Sequence, residues 1–461
     1  MAEKAKEGAT LKRSLNAFHL WGIAVGLVIS GEYFGWSYGW ASAGTLGFLV
    51  TTAFVALVYL TFILSFTELS CAIPKAGGPF DYARKAFGPF GGFIGGFSTL
   101  VEFACAPPAI AMSIGAYMSN QFPGLDPMWA AAAAYLIFVC LNMAGVSMAA
   151  PFELVVTILA IFELCVFMGV VAPGFSWANF SADGWAGADT FTGETMQGIF
   201  AAIPFAIWFF LAIEGASMSA EEAKNPQETV KKGFAWGIVT LVVLALGVML
   251  FAGGVGDWKE LSNINDPLPR AMRAIVGESS GWFHMLIFLG LFGLVASFHG
   301  IIMEGSRQIF ALSRAGFLPS ALSKLNKRHV PHWALVAGGV FGLLCVFSDN
   351  LVVLNNKPLT ANVITLACFG SITMYIVSIF SLFKLRKSEP EMERPFKAVL
   401  YPVFPIFALI GSGVCMVAMA FYNFQVFIVY LVLMALGYLY FLCHQKKIGK
   451  AIAEEESKLA Q

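Results

Sequence analysis

The sequence is poor in charge. Only 12 % of its 461 residues are Asp, Glu, Lys or Arg, about half the share of a soluble globular domain. Neither sign is in excess, since 28 basic and 28 acidic residues cancel. That excludes the broad electrostatic attraction on which nucleic-acid binding rests. There is no CxxC pair and no Cys/His cluster: the eight cysteines are scattered, mostly inside apolar runs. Neither a disulfide framework nor a metal site is supported, and the cysteines read as small buried hydrophobes. HExxH is missing and the six histidines do not cluster, so the chain does not read as an enzyme and calls for no cofactor. The polar, basic opening MAEKAKEGATLKRSLNAF has no short apolar core with a cleavage site after it. Residues 1–16 therefore read as a cytosolic tail and not as a cleaved leader.

What the chain has in quantity is apolar residues, 58 % of the total, with 44 Phe and 46 Gly. Glycine is commoner in membrane helices than in soluble ones. Runs of about 20 apolar residues, the length that spans a bilayer, recur twelve times. They fall near 17–41, 44–70, 90–119, 128–147, 152–173, 197–220, 234–256, 282–310, 334–354, 359–384, 402–422 and 425–445. With the N-terminus inside, only Lys259, Arg270, Arg273 and Lys357 of the 28 basic residues fall in outer segments. This bias is the positive-inside rule, and a missed helix would have reversed every later loop. The expectation is a multi-pass protein of the bacterial inner membrane, surrounded by lipid, with both termini cytoplasmic. The outer stretch 174–196, rich in Asp, Gly and Trp, reads as a folded loop over the mouth.

Two helices carry interruptions. The first is broken at SGEYFG, Ser30 to Gly35, where two glycines and Glu32 replace the expected apolar residues. The sixth is irregular at IEGAS, residues 213–217, shortly after Pro204. Interrupted segments in matching positions of two halves point to an inverted-repeat transporter and its binding site. Unwound backbone is tolerated in a membrane only where it lines a cavity or meets a partner. A simple kink with close packing on Gly31 and Gly35 is the competing reading.

Three stretches carry a family resemblance. SFTELSCAIPKAGGPFDYARKAFGPFGGF (65–93), WFFLAIEGASMSAEEAKNPQETVKKG (208–233) and GSRQIFALSRAGFLPSALSKLN (305–326) resemble the loop after helix 2, helix 6 with its following loop, and the end of helix 8 in the amino acid–polyamine–organocation (APC) superfamily. Within it the chain is most similar to bacterial ethanolamine permeases. The resemblance implies an all-α membrane fold of twelve transmembrane helices with helices 1 and 6 broken. Five-plus-five inverted repeats would cover 17–173 and 197–384, followed by two further helices over 402–445 and a cytosolic tail at 446–461. It also implies alternating access and a site between helices 1, 3, 6, 8 and 10. In amino-acid members a Gly-Ser-Gly-like turn of helix 1 holds the substrate carboxylate. Here that turn aligns on Ser30, Gly31 and Glu32, so a carboxylate replaces the last small residue. Two carboxylates in one low-dielectric pocket repel, which disfavours a free amino acid and suits an amine.

Other candidates follow from burial cost and chemistry. Glu102, near the middle of helix 3, costs about 2.5–3.5 kcal/mol on insertion scales; it is read as an ammonium partner or proton carrier, or else as half of a structural pair. Trp208, at a position where the family covers substrate with an aromatic, offers a cation a π face. Phe205 and Tyr33 are weaker candidates of the same kind. His299 in helix 8 could bond a hydroxyl or be a satisfied bundle histidine. Glu214 is assigned to gating or coupling. Helix 5 lacks the lysine that some relatives associate with proton coupling and offers Glu153 and Glu163 instead, with Glu163 as the coupling candidate. The expected function is uptake of a small protonated amine, ethanolamine first, with a possible coupling proton. An amino acid or polyamine permease and a non-transporting solute sensor are the alternatives.

Overall fold

The computed structural model describes residues 15–459 apart from 76, 145–149, 329, 350, 352 and 355. The N-terminal tail up to residue 14 lies outside the described residues. The chain is helical throughout, and its helices are α1 (Ala17–Val28), α2 (Ser30–Tyr33), α3 (Ser37–Ala72), α4 (Pro79–Gln121), α5 (Pro127–Met143), α6 (Ala150–Val171), α7 (Trp177–Ser181), α8 (Gly193–Ala201), α9 (Ile203–Ile207), α10 (Pro226–Gly253), α11 (Pro267–Val276), α12 (Gly281–Arg314), α13 (His332–Ser348), α14 (Leu359–Ser388), α15 (Val403–Tyr422) and α16 (Phe424–Leu459). Among the described residues, eight helices are long and apolar enough to cross a membrane. The shorter apolar helices α1, α5 and α13 lie among them.

The boundary expected near residues 41–44 is a kink within α3, where the backbone leaves helical geometry at Gly44, whose φ is 69°. A Cβ there would sit 2.3 Å from the Gly184 carbonyl oxygen, so both the backbone angle and the space demand glycine. The outer loop closes on this turn. The Gly184 carbonyl accepts from the amides of Leu46 (2.9 Å) and Gly47 (3.1 Å), and the Ala186 amide donates to the Ala43 carbonyl at 2.7 Å. The stretch 174–196 is thus folded, as its composition suggested, and it supplies partners to main-chain groups that the turn frees.

At the other end of α3, Glu68 gathers two arginines from the far end of the chain. Arg386 grips it with two bonds of 2.8 and 2.5 Å, and Arg394 approaches to 3.2 Å. The Ala398 amide adds a 2.7 Å bond, and the Arg386 guanidinium lies 3.7 Å from the Tyr401 ring centroid. A buried carboxylate needs this degree of pairing, and the cluster pins the end of α14 to the end of α3. Nearby in sequence to the other break, the Leu15 amide bonds the Glu222 carbonyl (3.0 Å) and the Lys224 amide bonds the Leu15 carbonyl (2.9 Å).

Close helix contact is made by small residues, the usual device where no hydrophobic force separates helix from lipid. The sharpest case is Gly370 of α14 against α4. A Cβ on Gly370 would fall 2.6 Å from the Ser98 carbonyl oxygen and 2.9 Å from the Glu102 nitrogen. Both are backbone atoms and cannot rotate away. Gly338 of α13 has open space in the same test. Gly370→Ala should therefore cost about 1–3 kcal/mol through overpacking, lowering the apparent melting temperature of the detergent-purified protein, whereas Gly338→Ala should leave it unchanged.

Candidate substrate site at two facing helix breaks

The first break falls at the end of the stretch Ser30 to Gly35. Ser30–Tyr33 wind as a helical turn, α2, with the Glu32 amide bonded to the Ile29 carbonyl at 3.1 Å. The chain leaves the helix at Phe34, which is extended, and Gly35, at φ 89°. The carbonyls set free are taken by side chains. Trp36 donates its indole N–H to the Glu32 carbonyl (3.1 Å), and the Tyr117 hydroxyl donates to that of Tyr33 (3.2 Å). Those two acceptors are therefore already spoken for.

The second break lies earlier than expected. α9 ends at Ile207, Trp208–Leu211 form turns, and Ala212 is left-handed at φ 75°. From Ile213 to Glu222 the chain is a 3₁₀-helix of 10 residues, well beyond the usual few. IEGAS sits in that 3₁₀ run, and the break itself falls on WFFLA, a stretch with no glycine or proline. The Pro204 carbonyl just before it accepts from the Trp208 amide (3.1 Å) and from the Cys368 thiol (3.2 Å).

The two breaks face each other. A Cβ on Gly31 would lie 2.5 Å from the Trp208 carbonyl oxygen, and one on Gly35 would lie 2.4 Å from the Trp208 indole. Close packing on these glycines, set against a binding site in the sequence reading, is thus real and coexists with true breaks. Trp208 is buried, its indole N–H has no partner among the described residues, and its ring stands edge-on to Phe34 at 5.5 Å.

Buried acids line this region. Glu32 and Glu102 are wholly inaccessible, and neither carboxyl oxygen of Glu32 finds a hydrogen-bond partner among the described residues. Glu102 lies within hydrogen-bonding reach of the Glu214 carboxyl and the Ala212 amide, at the end of the second break. Glu214 is half satisfied. The Tyr375 hydroxyl donates to its Oε2 at 2.8 Å and stands 3.0 Å from the Tyr59 hydroxyl, while Oε1 is bare. Such groups are costly in a bilayer and mark pathways for ions or polar solutes.

The remaining candidates divide. Ser30 bonds Ser297 of α12 at 2.8 Å, and Ser297 bonds the Leu27 carbonyl at 2.5 Å. Tyr33 points to α6, where its hydroxyl donates to Glu163 Oε2 and to the Ala160 carbonyl (3.1 Å). Its ring rests on Gly290 and Gly293 of α12. Tyr33 therefore ties the first break to the Glu163 carboxyl. Phe205, on α9, packs against Tyr38 at 5.8 Å. Glu153 lies against Gly26 of α1. His299 stands apart: its Nδ1 is 3.0 Å from the Asn142 amide and its ring is 5.9 Å from Phe138, both on α5. Among the described residues no group of His, Cys, Asp and Glu could hold a metal ion.

Sequence reasoning missed the tyrosines. Tyr59, Tyr117 and Tyr375 partner the breaks and the acids, but in a chain with 15 % aromatics a lone tyrosine carries no signal. Only a search for donors able to reach an intramembrane carboxylate would have picked them.

A family model described as amino acid permease matches residues 15–440. An uncharacterized transporter of Rhizobium meliloti (strain 1021) is 26 % identical over 425 residues, covering 88 % of this chain and 86 % of the relative. The branched-chain amino acid permease BcaP of Bacillus subtilis (strain 168) is 25 % identical, covering 87 % of each chain. The methylthioribose transporter of the same organism is 24 % identical over 95 % of this chain and 94 % of its own. A match that takes in both helix breaks and every buried acid of the site makes this chain a member of the amino acid permease family, within the APC superfamily.

Proposed function

We propose that the protein is a permease that takes up a small protonated amine, ethanolamine first, across the plasma membrane by alternating access. The observation that carries this reading is the pair of buried carboxyls, Glu32 with no hydrogen-bond partner among the described residues and Glu102 against Glu214, beside two facing helix breaks. A desolvated carboxylate without a donor is expensive, and an ammonium supplies up to three donors and the opposite charge. Trp208 offers the cation a π face, worth about 2 kcal/mol when desolvated. Ser30 and Gly31 shape the turn beneath it, and Phe205 lines the approach. Glu163 with Tyr33, and Glu214 with Tyr375, serve as gating or coupling pairs, where a proton can be held.

The twelve-helix count, the five-plus-five repeat over 17–173 and 197–384, and cytoplasmic termini belong to the same proposal. The breaks at corresponding places support it, as do Gly44 and Gly88, where the backbone turns close to the expected span boundaries.

An amino acid permease is the second reading, favoured by the family description and by the amino-acid names of most relatives. Glu32 argues against it, because a substrate carboxylate lodged by this turn meets a like charge. The methylthioribose transporter is a relative named for a solute that is not an amino acid.

Uptake of labelled ethanolamine, alanine and putrescine into proteoliposomes separates the readings: ethanolamine should accumulate and alanine should not. In counterflow, Glu102→Gln and Glu32→Gln should each lower ethanolamine exchange at least about tenfold, on the scale of a lost buried charge partner. Parent-like exchange by both variants would remove these acids from the site. Tyr375→Phe strips one donor from Glu214, an effect of about 1–3 kcal/mol. It should slow exchange and leave the half-saturating ethanolamine concentration in place; a change in that concentration instead would put Glu214 in contact with substrate.

A further inference from the structure

The loop before α14 is tied down more firmly than a plain connection requires. Leu354 and Lys357 exchange backbone bonds of 3.2 and 2.9 Å around Asn356, which is left-handed at φ 57°. The Asn362 side chain donates to the carbonyls of Lys357 and Pro358, both at 2.9 Å. Asp349 Oδ1 accepts from the amide and the hydroxyl of Thr360, both at 2.6 Å. This framework directs the Lys357 side chain inward, and its Nζ stands 4.6 Å from the centroid of the buried Phe205 ring. Phe205 lies three residues before Trp208, where the second break begins. Lys357 is also one of the few basic residues that the charge count puts on the outer side.

The ammonium has no acid to answer it. Asp349 is engaged by Thr360, and Asp266 is engaged by Asn120 (2.7 Å) with Arg270 at 3.7 Å. No ion pair to Lys357 occurs among the described residues, and burial brings its ammonium down to about 8, so it still carries its charge at neutral pH. A lysine held by an aromatic face alone is thus a cation stationed over Phe205, three residues before the second break begins.

We propose that Lys357 is a selectivity residue that admits substrates with one positive charge and rejects those with two. The proposal rests on the amine reading above. A monoamine can place its ammonium among the acids and leave its neutral end toward Phe205. A diamine of similar width must bring its second ammonium toward Lys357, where like charges repel through a medium of low dielectric. Discrimination by an added repulsive element, without a new attractive one, is a common route to specificity.

The test is inhibition of labelled ethanolamine uptake in proteoliposomes by putrescine and by unlabelled ethanolamine, at pH 7, for the parent, Lys357→Met, Lys357→Gln and Lys357→Arg. Putrescine should inhibit the Met and Gln variants about tenfold more strongly than the parent, the order expected for two like charges about 12 Å apart at an effective dielectric of about 20. The Arg variant should stay parent-like, and self-inhibition by ethanolamine should change little throughout. Two neutral variants guard against one that fails to fold. Equal putrescine inhibition of parent and neutral variants would overturn the proposal. The same panel run on labelled alanine uptake keeps the two readings distinct. Accumulation of alanine in place of ethanolamine would end the amine reading, while the putrescine shift, present or absent, would still decide the role of Lys357.

Discussion

The arrangement depends on one contact, the approach of the Ser30–Tyr33 turn to the Trp208 carbonyl across Gly31. A methyl group at that point would collide with backbone, so the two breaks can meet only because position 31 has no side chain. From this contact the rest follows. Trp208 lies over Gly35, the chain turns away at Ala212, and Glu102 arrives from α4 beside that turn, brought in by the bare Gly370 of α14.

Within this assembly the carboxylates fall into two kinds. Glu163 and Glu214 each have one oxygen satisfied by a tyrosine hydroxyl and one left bare. Glu32 has none satisfied, and Glu102 lies against Glu214 and the Ala212 amide. A tyrosine is a neutral donor that can fix a carboxylate without cancelling its charge, so Glu163 and Glu214 are positioned while Glu32 is left without a donor among the described residues. Main-chain groups are treated in the opposite way. The carbonyls freed at the first break are capped by Trp36 and Tyr117, which leaves charge on side chains, and not loose backbone, as the means of recognition on that side.

Much of the membrane architecture was legible because the bilayer imposes a length and a charge bias that composition cannot hide. The acids were legible for the same reason: a carboxylate inside an apolar run is conspicuous. The breaks were legible only in part. The first falls inside Ser30 to Gly35, with Ser30–Tyr33 helical, Gly31 serving close packing and the angle that needs glycine at Gly35. At WFFLA no residue announces a break, and Ala212 takes a left-handed angle that only surrounding packing can impose. His299 was open to two readings, a hydroxyl partner or a satisfied bundle histidine; its Nδ1 meets Asn142 on α5, while its buried Nε2 has no partner among the described residues.

The distribution of charge along the site has a consequence for how it can open. A site that holds bare acids and is closed to solvent is costly when empty, since neither water nor donor relieves them. Filling by a cation lowers that cost, and opening to water lowers it as well. On the proposed reading, a closed state without a bound cation is then the least favourable member of the cycle, since a loaded closed form and open forms are both better solvated. This ordering favours exchange of one bound cation for another over return of the empty carrier, because the empty carrier must cross the occluded state with its acids unanswered. A proton on one of the carboxyls would ease that crossing, and the tyrosine-held pair Glu163 and Glu214, each with one free oxygen, stands close enough to the breaks to take part.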